Sequence, residues 1–207
     1  MTQVKLTKNE LRVQQVKHQQ LIRYLPTLQL KKAMLQQEVN IVQQQIDEEK
    51  QILDSLVNNA FSLGKILQKE SMNRFYESLR IEKLHVETEN IAGIDVPSFL
   101  DVDFAPVAYH GASVPLWWDF ALEQLKKLLK EKEKVSILQK KKLLLEKELR
   151  EVSIRVNLFE KVLIPRTVAN IKKIKIFLGD LLLSAVSQAK VAKSKIESKR
   201  KALEGVE

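Results

Sequence analysis

The stretch LIRYLPTLQLKKAMLQQEVNIVQQQIDEEKQILDSLVNNAFSLGKIL, residues 21–67, decides the fold. Its apolar residues recur every seven positions in two interleaved series. One series is Leu21, Leu28, Leu35, Val42, Glu49, Leu56 and Leu63; the other is Leu25, Lys32, Val39, Ile46, Leu53, Ala60 and Leu67. Only Glu49 and Lys32 interrupt them. A sustained seven-residue repeat keeps one seam turned toward a partner helix and implies a left-handed supercoil. The run extends back to Thr7, whose hydroxyl is suited to cap the helix, with Glu10 three residues on completing a capping box. Pro26 lies within it and predicts a kink or a delayed start, because it removes a backbone donor and crowds the preceding turn. The first helix is expected over about 7–87.

A second repeat follows in the C-terminal half. Leu128, Val135, Lys142, Leu149, Val156 and Leu163 form one series, and Leu138, Leu145, Val152 and Phe159 the other. The pattern resumes after Pro165 with Ile171, Ile174, Leu178, Leu181 and Ala185, so Pro165 predicts a kink inside one helix and not its end. Ser113 and Pro115 suit the first turn of this helix, expected over about 113–203. Gly93, Pro97, Pro106, Gly111 and Pro115 all fall in the stretch between the two repeats. An irregular insert over about 88–112 follows. Phe99–Phe104 partly alternates, and Val107–Tyr109 is the candidate return strand of a short β-hairpin. Two helices of some 80 to 90 residues, each about 120 Å long, most simply fold back on each other. The expected fold is all-α: a single elongated domain over 1–207, an antiparallel two-helix coiled-coil hairpin with a short insert and both termini at one end.

Composition supports this reading by exclusion. The 207 residues include only 5 Gly and 5 Pro, too few for the turns of a sandwich, a barrel or a doubly wound sheet. With 44% hydrophobic residues the chain is too apolar for disorder. The absence of Cys removes disulfides, thiolate zinc sites and cysteine nucleophiles. No apolar signal core follows the N-terminal charges, and the most apolar stretch, Ile174–Ala189, is too short and carries Lys175 and Asp180. A cytoplasmic protein without membrane insertion is expected.

The net charge of +9 is unevenly placed. Lys5, Lys8, Arg12, Lys17, Arg23, Lys31 and Lys32 lie in residues 1–35 against the single acid Glu10. Lys190, Lys193, Lys195, Lys199, Arg200 and Lys201 lie near the other terminus, whereas residues 82–123 hold eight acids and one base, Lys83. A hairpin brings the two basic sets to one tip and leaves the other tip acidic. The charges read either as a solvated helix face or as two ends that dock to different partners. Trp117, Trp118 and Phe120 read either as local core or as a partner-binding hot spot.

Catalytic and ligand motifs fail on inspection. Gly64-Lys65 lacks the earlier Gly of a phosphate loop, since position 59 is Asn59, and Ile66 replaces its Ser/Thr. His18, His85 and His110 have no metal-ligand spacing. Asp101-x-Asp103 near Asp95 lacks the further ligands of a calcium loop. The Lys-rich run over 126–142 is interleaved with Glu131, Glu133, Glu146 and Glu148 and has no stacking aromatics, which argues against nucleic acid. No base stands beside a nucleophile, so a non-catalytic chain without cofactor or metal is expected.

The motifs themselves resemble a known family. Lys5-Leu6-Thr7-Lys8-Asn9-Glu10-Leu11 is similar to the Pro-Thr-Lys/Arg-x-x-Leu opening of the D subunits of V-type and archaeal A-type rotary ATPases, with Leu6 in place of Pro. Lys17 falls at a recurrent Lys of that family, and Leu28–Leu35 resembles its Leu-Leu-Lys-x-Lys-Arg-x-x-Leu run. Arg155-Val156-Asn157-Leu158-Phe159-Glu160-Lys161-Val162-Leu163-Ile164-Pro165 is closest, matching Arg-Val-Asn-Ala-Leu-Glu…Ile-Pro, and Ile171–Ile174 follows it. The family's acidic-and-Arg run is replaced here by Phe177–Leu183. The resemblance implies a central-stalk rotor component. It implies termini inserted in the bore of a hexamer of A and B subunits, a middle region holding the small F subunit of the stalk, and a lower end on the membrane-rotor adaptor, the C or d subunit. On that reading Lys5, Lys8, Arg12, Lys17, Lys193, Lys199 and Arg200 face the hexamer, and Trp117, Trp118 and Phe120 face the small F subunit or the adaptor. A coiled-coil tether unrelated to ATPases is the alternative.

Overall fold

The structure, a computed structural model, describes residues 4–64, 79–106 and 117–204. The chain runs as helix α1 (Lys8–Gly64), strands β1 (Ile81–Ile91) and β2 (Ile94–Phe104), helix α2 (Trp118–Leu158), one π-helical turn (Phe159–Leu163) and helix α3 (Ile164–Glu204). It divides into two compact units: residues 1–29 with 154–207, and residues 30–153.

In the unit of residues 30–153, α1 and α2 run antiparallel. Lys31 pairs with Glu148 at 3.1 Å and Glu49 with Lys134 at 2.6 Å, so ascending one helix descends the other. The seam is the one the heptads predict: Leu35, Val39, Val42 and Ile46 of α1 and Val135, Leu145 and Val152 of α2 are buried. Fully burying each such side chain contributes about 1.5–3 kcal/mol, which is what holds helices whose outer faces are charged.

A second stripe of α2 is also covered. Lys126, Lys130, Ile137 and Lys141 share one helical face. Lys126 lies over the Phe104 ring, Lys130 pairs with Asp101 at 2.7 Å, and Lys141 pairs with Glu89 at 2.8 Å. The β-hairpin therefore lies lengthwise along this stripe, and Ile137, Val96 and Val102 are buried.

The hairpin differs from the sequence expectation. β1 and β2 pair antiparallel from Ile81↔Phe104 to Ile91↔Ile94. The partner of Phe99–Phe104 thus precedes it, and residues 81–87, expected at the end of the first helix, are strand. The cause is the Ala92-Gly93 turn, with φ of 52° and 81°. A two-residue loop with both φ positive matches the twist of paired strands. Asn90 secures it: its side chain accepts from the Gly93 N–H and donates to Asp95. The expected return strand Val107–Tyr109 and the caps Ser113 and Pro115 lie outside the described residues.

In the other unit, α1 and α3 are also antiparallel partners, since His18 meets Thr167 at 3.2 Å and Gln14 meets Asn170 at 3.5 Å. Leu21, Val156 and Ile174 are buried there. Thr7 caps α1 through its hydroxyl, which accepts the Glu10 N–H; the Glu10 carboxylate accepts from the Gln14 amide. From Leu181 to Lys199 every residue of α3 is exposed. Pro165 stands at the start of α3, directly after the π turn.

Leu145 is 0% exposed and Leu143, two residues earlier, is 65% exposed. Leu145→Ala should lower unfolding free energy by about 2–5 kcal/mol, and Leu143→Ala by less than about 0.5 kcal/mol. Urea titration followed by circular dichroism checks the pair. Equal losses would place the seam elsewhere on α2.

Candidate functional site: a basic cleft and a charged seam

The basic residues of the N-terminal segment gather around one cleft. Lys5, Glu10, Gln14 and Lys17 line one side of a cavity of about 500 Å³, and Leu163, Arg166, Thr167 and Asn170 line the other. Thr167 forms the floor and is the buried polar residue of the described chain, 3% exposed. Its hydroxyl donates to the Ile164 carbonyl at 2.8 Å, which commits its single hydrogen. The contact with His18 Nδ1 then requires the ring nitrogen to donate, so His18 carries its proton on Nδ1. Thr167, His18, Gln14 and Asn170 thus fix the spacing of the two helices, while Lys5, Lys17 and Arg166 surround the opening with positive charge. This arrangement suits carboxylates presented by a partner surface, which Arg binds in bidentate fashion.

The sequence found part of this cleft. Lys5 and Lys17 line it; Lys8 and Arg12 are exposed nearby on α1. Arg166 was missed, although it directly follows Pro165 of the motif run. Lys193 and Lys199 do not join the cleft. They lie far along the exposed run of α3, where Lys193 stands 3.9 Å from Glu197 one turn on. The side chain of Arg200 lies outside the described residues. Among the described residues the two basic sets do not meet as expected: the first faces residues 163–170, and the second lies on the exposed run of α3.

The motif residues Arg155, Val156, Asn157 and Pro165 bracket the π turn. Val156 is buried in the seam, and Arg155, Asn157 and Pro165 are exposed. Trp118 is core, 2% exposed, packed with Ala121 and Leu122 against Leu79, Trp117 and Leu125. Its ring centroid is 6.1 Å from that of Trp117. Phe120 is 57% exposed and is the member of this aromatic group that presents a surface.

The heptad interruption at Glu49 marks a polar cluster in the α1–α2 seam. Lys134 Nζ lies 2.6 Å from Glu49 and 3.7 Å from Glu131. Glu49 Oε2 and Glu131 Oε2 are buried, have no donor from nitrogen or hydroxyl, and are hydrogen-bond neighbours. A proton carried by one and donated to the other would satisfy both. The hydrogen bond from Lys134 holds the Glu49 carboxyl below its ordinary value. Burial, then the Glu49 carboxyl beside it, holds Glu131 above its own. Burial opposes the charge on Lys134, but the two carboxylates outweigh it and raise its pKa. On the hairpin face, the Lys130 ammonium and the Val102 N–H lower Asp101.

These features define a coiled-coil protein with charged surfaces on its paired helices. Comparison with known proteins gives the family. The profile of the ATP synthase D subunit matches residues 10–194, and the chain belongs to that family. The V-type ATP synthase D subunit of Chlamydia caviae is 38% identical over 200 residues, covering 96% of each chain. That of Chlamydia pneumoniae is 40% identical over 200 residues, covering 96% of this chain and 95% of the relative. That of Chlamydia trachomatis is 39% identical, covering 95% and 97%. Among the described residues no helix is long and apolar enough to cross a membrane, and no group of three His, Asp or Glu is placed to hold a metal ion.

Glu131 supplies a pH test. A carboxyl whose folded pKa is raised stabilises the fold below its ordinary value of 4.5 and loses that contribution as pH rises through the folded value. Glu131→Gln keeps a donor toward Glu49 without the charge. Its melting temperature should match the parent below pH 4.5 and exceed it increasingly toward neutral pH. A constant difference across pH 4–8 (about four units) would mean that no shared proton exists.

Proposed function

We propose that this chain is the central-stalk rotor component of a V-type ATP synthase. It transmits torque between ATP turnover in a hexamer of A and B subunits and ion translocation through a membrane ring. The observation that carries the reading is the family match, which spans residues 10–194 and so takes in both long helical runs. The chain is non-catalytic on this reading, cytoplasmic, and peripheral to the membrane as part of the complex. Both units belong to one torque-bearing domain.

The chemistry of the seam and the surfaces is consistent with such a role. An apolar seam resists unpairing under load. Contacts that break at every step must be individually weak, and exposed ion pairs are worth about 0–1 kcal/mol each. The basic cleft and the exposed run of α3, with Lys5, Lys8, Arg12, Lys17, Arg166, Lys193, Lys199 and Arg200, are the surfaces offered to the hexamer. Phe120, backed by Trp117 and Trp118, is offered to the small F subunit of the stalk or to the adaptor, the C or d subunit.

Two measurements test this. Co-expression with the A, B and F subunits of the same organism should give, by native mass spectrometry, one copy of this chain and one small F subunit on a hexamer. A homodimer that ignores all three would replace the rotor reading with a coiled-coil tether. Within an assembled complex, Lys5→Glu, Lys17→Glu and Arg166→Glu combined should lower ATPase rate or hexamer affinity at least tenfold at low salt. The effect should shrink as salt screens the contact. Unchanged assembly and rate would remove the cleft from the interface.

A further inference from the structure

At one level of the unit of residues 1–29 with 154–207, both helices depart from the regular α-helical hydrogen-bond ladder. In α1 the break is Pro26, which has no N–H to give to the Ile22 carbonyl. In the facing chain it is the π turn Phe159–Leu163, closed by the Ile164 N–H donating to the Phe159 carbonyl. Pro165, just beyond, withholds another donor. These breaks lie opposite one another. His18 faces Thr167, and counting on to Pro26 while counting back by the same number from Thr167 reaches Phe159.

Packing changes at the same level. Leu21, Thr167 and Ile174 are buried on one side and Val156 on the other. Between them, neither residues 22–29 nor residues 157–166 include a buried side chain. Ile22, Leu158 and Val162 are instead 50%, 43% and 49% exposed. Missing ladder bonds and a missing core act in the same direction. Sharp bends occur at Pro and at π turns, and segments with few buried apolar contacts open at low local free energy.

We propose that this level is a built-in flexure: the paired helices bend and twist there while the seam on either side stays closed. Residues 4–21 with 164–177, which carry the basic cleft apart from Leu163, thereby change direction without unpairing. That the motion serves docking to a turning partner rests on the rotor reading; the flexure itself does not.

The test uses the full chain, whose lack of Cys makes introduced labels unambiguous. Hydrogen exchange should be at least tenfold faster at amides 24–30 and 158–166 than at amides 10–21 and 168–176. Pro26→Ala restores the donor for Ile22 and should slow exchange at least tenfold at both sets, including the set on the other helix. Spin labels at Ile154 and Lys172, both exposed and flanking the π turn, should give a broad distance distribution that narrows in the Pro26→Ala chain. Uniform protection along this unit, or a narrow distribution unchanged by Pro26→Ala, would overturn the flexure. Native mass spectrometry of the complex answers the rotor question separately, so either idea can fail alone.

Discussion

Everything in this protein depends on one constraint: two antiparallel helices share a seam only about one side chain wide. With 29% of its residues charged, the chain must place nearly every charge outside that seam. In the unit of residues 30–153, Leu35, Leu145, Val42 and Val152 fill it almost without exposure, and in the other unit Ile174 does. The outer faces are then free to carry ion pairs, a docked hairpin and a basic cleft. Stability comes from the seam and chemistry comes from the flanks, which is why few of the flank charges bear on the fold.

The places where the seam departs from apolar packing are informative. At Glu49 it admits a carboxylate, and the structure answers with Lys134 and a second carboxyl, Glu131, from the facing helix. Burying an unpaired charge would be costly; the Lys134 ammonium beside the two carboxyls offsets it. At Thr167 it admits a hydroxyl, satisfied by Ile164 and His18. At Pro26 and the π turn it admits no buried residue. A seam made only of Leu and Val would be more uniform, but it would offer no fixed polar register between its helices.

The hairpin shows how tertiary packing overrides local pattern. Residues 81–87 sit at the end of a long helical repeat and carry charges at helix-like spacing. They form a strand because Ala92-Gly93 turns the chain and β2 lies ready to pair. The stripe of α2 that receives the hairpin carries Lys126, Lys130 and Lys141, which read in sequence as one solvated Lys-rich flank. Only their partners Phe104, Asp101 and Glu89 reveal them as a docking stripe.

The sequence by itself determined the helical class, the heptad pattern of the seams, the N-cap at Thr7 and the family resemblance carried by Arg155–Pro165. These are local or periodic features, and periodicity survives without knowledge of what faces it. Tertiary structure alone decided the pairing of β1 with β2 and the meeting of Arg166 with Lys5 and Lys17. It alone separated that cleft from Lys193 and Lys199, buried Trp118 while exposing Phe120, and joined Glu49 to Glu131. Each of these depends on the register between segments far apart in sequence. That register is set by packing across the seam, a quantity that no single stretch of chain encodes.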